Sequence, residues 1–211
     1  MIVIVDYGMG NLRSVSKALE SLGASVRISD DPKEVASATK LILPGVGAFP
    51  AAMQELSARR LIQPIKEAIA RGTPYLGICL GLQLLFQESD EGEGAKGFGV
   101  LAGRVPRFAF NDHVTLKIPH MGWNQIARGR GAGGVGRREC PLLTGIPDGS
   151  FFYFVHSYYA DPTDRSVVAL EADYGVRFAA MVWRDNLFAT QFHPEKSQAV
   201  GLKLLENFIN L

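Results

Sequence analysis

Excess charge is missing from this chain, since 22 basic residues face 21 acidic ones for a formal net charge of +1. A protein whose main business is nucleic acid needs a basic surplus gathered on one face, so nucleic acid is not expected as a partner. Long apolar runs are missing too. None approaches the roughly 18 residues that a bilayer-spanning helix requires. The opening MIVIVDYGMGN has neither the charged start nor the small-residue cleavage site of a signal peptide. No membrane association is expected, and a cytoplasmic location is. Cysteine is scarce, with only Cys79 and Cys140, each expected as a free thiol in a reducing compartment. Cys and His residues nowhere cluster at metal-ligand spacing, and neither a G-x-G-x-x-G nor a Walker-type phosphate loop occurs. No metal, nucleotide or redox cofactor is therefore expected.

Apolar residues are plentiful, at 47% of 211, enough for one packed domain over residues 1–211. Short apolar runs suited to buried parallel strands fall at Ile2–Val5, Ser25–Ile28, Leu41–Leu43 and Tyr75–Ile78. Between them lie helical patterns. One carries Leu12, Val15, Ala18, Leu19 and Leu22 and stops at Gly23; another covers Pro32–Ala38; a third covers Phe49–Ala70, with a break expected near Pro64. The apolar stretch Leu80–Phe86 reads as the helix after the fourth strand. This alternation predicts an α/β fold with a mostly parallel central sheet flanked by helices. Beyond an exposed loop at Glu88–Gly97 the pattern changes, and strands without long helices between them are expected at Val100–Phe108, Val114–Ile118, Phe151–Val155, Val167–Glu171, Val176–Trp183 and Leu187–Gln191. These add antiparallel strands in the second half. Ser197–Ile209 reads as a closing helix, and the Gly/Arg-rich segment Arg128–Arg138 as a surface loop.

Gly77-Ile78-Cys79-Leu80-Gly81 has the spacing of a nucleophile elbow, with Cys in the place of Ser. The glycines suit a sharp strand-to-helix turn where a Cβ would clash with neighbouring chain, and a helix start beside the sulfur would favour the thiolate. A Cys nucleophile needs a base. His193 stands just past the strand Leu187–Gln191, and Glu195 follows two residues later, placed to accept from the imidazole and fix its tautomer. The elbow, the His and the acid all fall at predicted strand C-termini, the edge where open parallel sheets gather their ligand sites. Pro44-Gly45-Val46-Gly47 also follows a strand, and its small residues would let a backbone N–H near Val46 turn toward developing negative charge, with the N–H of Leu80 as second donor. Taken singly, each motif also fits an ordinary structural role: a core cysteine, a surface His–Glu pair, a plain turn.

In this order and at these separations, PGVG, GICLGLQ and QFHPEKS resemble the class I (triad-type) glutamine amidotransferases, over nearly the whole chain. The resemblance implies that Cys79 attacks the side-chain amide of L-glutamine, that His193 protonates the leaving ammonia and then activates water, and that Glu195 orients His193. It further implies that Gln83 contacts bound glutamine, with Gly47, Ser157 and Tyr158 as backbone partners, and that His156 is structural or substrate-adjacent. Within the family, DYGMGN at residues 6–11 and PHMGWN at residues 119–124 resemble the glutaminase subunits of imidazole glycerol phosphate synthases. That implies a heterodimer with a (β/α)8-barrel cyclase subunit, through which ammonia passes to PRFAR to give imidazole glycerol phosphate and AICAR in histidine biosynthesis. Trp123, flanked by Gly122 and Asn124, reads either as the aromatic anchor of an interface or as a core residue, and Asn11 and Lys196, close to strand ends that bear the site, are candidates for the same face. A glutaminase subunit for another synthase, a stand-alone cysteine amidohydrolase and a non-catalytic binding module remain open alternatives.

Overall fold

The computed structural model describes residues 1–110, 115–129 and 139–211. In chain order the first half runs β1 (Ile2–Val5), α1 (Leu12–Ser21), β2 (Val26–Ser29), α2 (Pro32–Ser37), β3 (Lys40–Gly45), α3 (Phe49–Ala58), α4 (Ile62–Ala70), β4 (Tyr75–Cys79) and α5 (Leu80–Gln83). Short strands β5 (Glu88–Ser89), β6 (Ala95–Lys96) and β7 (Gly103–Val105) follow. The second half holds β8 (His120–Arg128), β9 (Phe151–His156), β10 (Asp161–Pro162), β11 (Val168–Asp173), β12 (Arg177–Arg184), β13 (Leu187–Thr190) and α6 (Gln198–Ile209).

Nine strands form one sheet in the order β2-β1-β3-β4-β13-β12-β11-β8-β9. The five from β2 to β13 pair in parallel and the remaining pairings are antiparallel. Every residue of β1 is buried, as a parallel strand covered on both faces demands. Its alternate side chains enter two cores. Val3 and Val5 join Val35 of α2, Leu56 of α3 and Ile65 of α4, while Ile2 and Ile4 join Val15 and Leu19 of α1 and Leu204, Leu205 and Phe208 of α6. β5, β6, β7 and β10 make a separate four-stranded sheet.

Several elements depart from the sequence expectations. The helix break comes at residues 59–61, where Arg60 has φ 57°, and Pro64 sits in the first turn of α4, a position that needs no intrahelical N–H. The helix after Cys79 is a single turn. The carbonyls of Leu84, Leu85 and Phe86 accept from the N–H groups of Phe98, Leu101 and Gly99 instead of continuing it. The long strand β8 carries His120, Gly122 and Asn124 on its inward positions, which hid it from apolar alternation. Only Gly103–Val105 of the stretch 100–108 is strand. Of the expected strand Val114–Ile118, Val114 lies outside the described residues and 115–118 is not a strand; most of the Gly/Arg-rich segment also lies outside them. Among the described residues no helix is long and apolar enough to cross a membrane.

Candidate active site

Strand β4 ends on Cys79, whose φ of 55° and ψ of −105° aim its side chain out of the strand line at a conformational cost of about 1–3 kcal/mol. Backbone crowding explains the flanking glycines. A Cβ at Gly77 would lie 2.6 Å from the Gly81 carbonyl oxygen, and a Cβ at Gly81 would lie 1.9 Å from that of Leu43. The elbow is thus wedged between β3 and its own next turn.

β13 runs parallel to β4, with Thr190 beside Ile78, so residues just past β13 arrive at the same sheet edge as Cys79. There the chain is tied down by a bond from the His193 N–H to the Tyr153 carbonyl (2.9 Å). The Ser197 hydroxyl adds a second tie: it donates to the His193 carbonyl at 2.6 Å and accepts from the Tyr153 N–H at 3.0 Å. His193 Nδ1 lies 2.9 Å from Glu195 Oε1, and both side chains are excluded from solvent. His193 Nε2 is buried and has no hydrogen-bond partner among the described residues. Burial, the largest single influence on the His193 pKa, pulls it down, and the negative charge of Cys79 pushes it up. A hydrogen-bonding influence from the same sulfur and the Glu195 carboxylate then add to the rise, to about 10. The sulfur is near enough to be felt although no bond of ordinary geometry joins it to Nε2. Cys140 is the contrast: it is buried too, but burial alone dominates and pushes its thiol up to about 12, leaving it inert.

Cys79 opens onto a cavity of about 330 Å³, a size suited to a small solute. Val46, Gly47, Leu80, Gln83, Ser157 and Tyr158 all line it, so the sequence candidates for oxyanion and substrate contacts meet around the sulfur. His156 lines it as well. Of the interface candidates, Trp123 stands edge-on to Tyr153 at 6.2 Å, and Lys196 Nζ lies 5.8 Å from the same ring. Asn11 precedes α1, where its side chain makes no capping bond, and α1 packs against the 194–196 segment that holds Lys196.

Three residues near the sulfur escaped sequence reasoning. Gln191, fully buried, points Nε2 at Cys79 Sγ from 3.7 Å and accepts from Gln83 at 3.3 Å. Its signal was a polar residue closing a buried strand. Glu91 sits in the segment 88–97, where the sequence predicts an exposed loop, yet its carboxylate accepts from the Phe49 N–H at 2.8 Å and lines the cavity. Tyr7 is fully buried, and its hydroxyl has no hydrogen-bond partner among the described residues. Burial and the charge of Cys79 drive its pKa upward. No group of His, Cys, Asp and Glu among the described residues could hold a metal ion.

Residues 3–211 match the family model described as glutamine amidotransferase class-I. The chain is 55% identical over 211 residues to the imidazole glycerol phosphate synthase subunit HisH of Syntrophotalea carbinolica, covering 99% of this chain and 98% of that one. It is 53% identical to the subunit of the same name from Rhodopirellula baltica, covering 99% and 96%. A crystal structure titled as a glutamine amidotransferase superposes with a TM-score of 0.74 over the full length of both chains at 18% identity, a likeness of fold.

Proposed function

The chain belongs to the class I glutamine amidotransferases, and from that premise we propose that it is the glutaminase subunit of an imidazole glycerol phosphate synthase, with Cys79, His193 and Glu195 as its catalytic triad. One observation carries the chemical half of this reading. A buried imidazole is held by a carboxylate at 2.9 Å through Nδ1, its Nε2 has no hydrogen-bond partner among the described residues, and the charge of the elbow cysteine acts on it. With its pKa near 10, His193 holds a proton at neutral pH.

The sulfur of Cys79 attacks the side-chain amide carbon of L-glutamine. The resulting oxyanion is met by the N–H of Leu80 and an N–H at Val46. His193 passes its Nε2 proton to the amide nitrogen, the C–N bond breaks, and ammonia leaves behind a glutamyl thioester. His193, now neutral, takes a proton from water, and the oxygen attacks the thioester carbon. The C–S bond breaks, glutamate departs, and the thiolate and protonated imidazole are restored. Glu195 keeps Nδ1–H in place throughout. Gln83 directs its amide hydrogens to Tyr158 and Gln191, which leaves its oxygen as an acceptor. That oxygen and the Glu91 carboxylate suit the α-ammonium group of an amino acid.

The second half concerns the partner. On the outward face of β8 and β9, Met121, Trp123 and Phe151 are 63%, 47% and 53% exposed, and the same face runs on to Val155, which lines the cavity. An apolar stripe leading to the site fits a docking surface for the cyclase barrel, with ammonia passing directly into it as a cytoplasmic heterodimer. The test is the assembled complex. Cys79→Ala is expected to abolish imidazole glycerol phosphate formation driven by glutamine and to spare formation driven by ammonium salts; retained glutamine-driven turnover would refute the nucleophile. Trp123→Ala is expected to weaken subunit binding about 10- to 100-fold by calorimetric titration. Unchanged binding would move the interface elsewhere.

A further inference from the structure

Two further histidines lie on the inward face of the same strand pair, and the hydrogen-bonding direction of every group between them is determined. Asn124 Nδ2 donates to the Asp173 carbonyl at 2.8 Å, and Asn124 Oδ1 accepts from the Gln125 N–H at 2.8 Å, which fixes the orientation of the amide. Nδ2 also meets His120 Nε2 at 3.3 Å, so that ring nitrogen is an acceptor. The His120 proton therefore sits on Nδ1, which donates to His156 Nε2 at 3.0 Å. His156 in turn carries its proton on Nδ1 and donates to the Tyr158 carbonyl at 2.9 Å. The same carbonyl accepts from Gln83 at 2.9 Å, Gln83 also donates to Gln191, and Gln191 reaches the Cys79 sulfur. Reversing any one link sets two donors or two acceptors face to face. Neither ring has room for a second proton, in keeping with the low pKa values that burial imposes on them, about 4 for His120 and about 3 for His156.

We propose that His120 is a positioning residue for the glutamine site: its Nδ1–H locks His156 with the proton on Nδ1, and His156 then holds the Tyr158 carbonyl to which Gln83 is bound. The proposal rests on the glutaminase reading above. His120 does not itself line the cavity and reaches it through His156. It is stacked against Tyr174 and Phe154, with ring centroids 4.0 and 5.0 Å away, so a phenyl ring can replace it without emptying the core. Such a replacement leaves His156 Nε2 buried without a donor, frees the ring to turn, and loosens the carbonyl that anchors Gln83.

The experiment uses the assembled complex for kinetics and the ¹⁵N-histidine-labelled full chain for spectroscopy. In the parent chain, both His120 and His156 are expected to show the Nδ1–H tautomer, the minor form of a free imidazole. His120→Phe is expected to raise the KM for glutamine about tenfold while kcat changes by less than about threefold. His120→Asn places an amide hydrogen where Nδ1–H was and is expected to bring KM back to within about threefold of the parent. A proton on Nε2 of either ring in the parent, or equal KM values for the Phe and Asn variants, would overturn the relay. Should the Phe variant not fold, the parent spectrum and the Asn variant still decide. A parent complex with no glutamine hydrolysis would sink the glutaminase reading, while the nitrogen spectrum would judge the relay on its own.

Discussion

His193 and His156 are both nearly sealed from solvent and both belong to the neighbourhood of Cys79, yet burial loses at the first and wins at the second. At His193 a carboxylate and the charge of the sulfur lift the pKa to about 10. At His156 the partners are a carbonyl and another imidazole, neither of which can carry the countercharge, and burial takes the value to about 3. The lesson is that exposure says little about the protonation of a buried histidine; the formal charge of the groups it faces decides. One corner of the site is arranged to move protons and the other to keep them where they are.

The first way to break this contrast is Glu195→Gln. It keeps the shape and removes the charge, so kcat for glutamine hydrolysis is expected to fall about 10²- to 10⁴-fold. The His193 titration, followed by NMR, is expected to move toward lower pH. A full-rate variant would mean that the carboxylate does not hold the base. The second way is pH. His193 is raised, so its contribution to stability is complete below the ordinary histidine range and is lost as pH climbs from about 6.5 toward 10. His120 and His156 are lowered, so the unfolded chain takes up protons that the folded chain refuses, and stability falls as pH drops from about 6.5 toward 4. Urea denaturation across pH 4–10 should show both limbs, and His120→Phe should flatten the acidic one alone. The smallest effect concerns the buried hydroxyl of Tyr7. Tyr7→Phe removes a hydroxyl that has no hydrogen-bond partner among the described residues and is expected to stabilise the chain by about 1 kcal/mol in urea denaturation. A loss of stability would show that the hydroxyl finds a partner in solution.

The parallel half of the sheet was legible in the sequence because strands covered on both faces must be apolar throughout, as β1 and β4 are. The elbow was legible because its glycines answer to backbone collisions rather than to packing. β8 was not, since two of its inward positions carry the polar side chains His120 and Asn124 and a third is Gly122, a strand whose buried face is partly a hydrogen-bond chain. Leu80–Phe86 misled in the opposite sense. The run is apolar because it is buried, but its last carbonyls answer to Phe98, Gly99 and Leu101, which no periodicity reveals. Gln191 and Glu91 were invisible for a related reason: their importance lies in partners distant in the chain, 108 and 42 residues away respectively.

The close approach of Gly81 to the Leu43 carbonyl, where even a methyl group would have no room, also sets a boundary. On one side, β3 stays paired with β4 as far as Gly45, which stands opposite Cys79 itself. On the other, the N–H of Phe49 is pinned by Glu91. Between those two fixtures lies only the short span 46–48, so whatever adjustment the backbone makes to welcome an incoming amide is confined to a link of three residues with both ends nailed down.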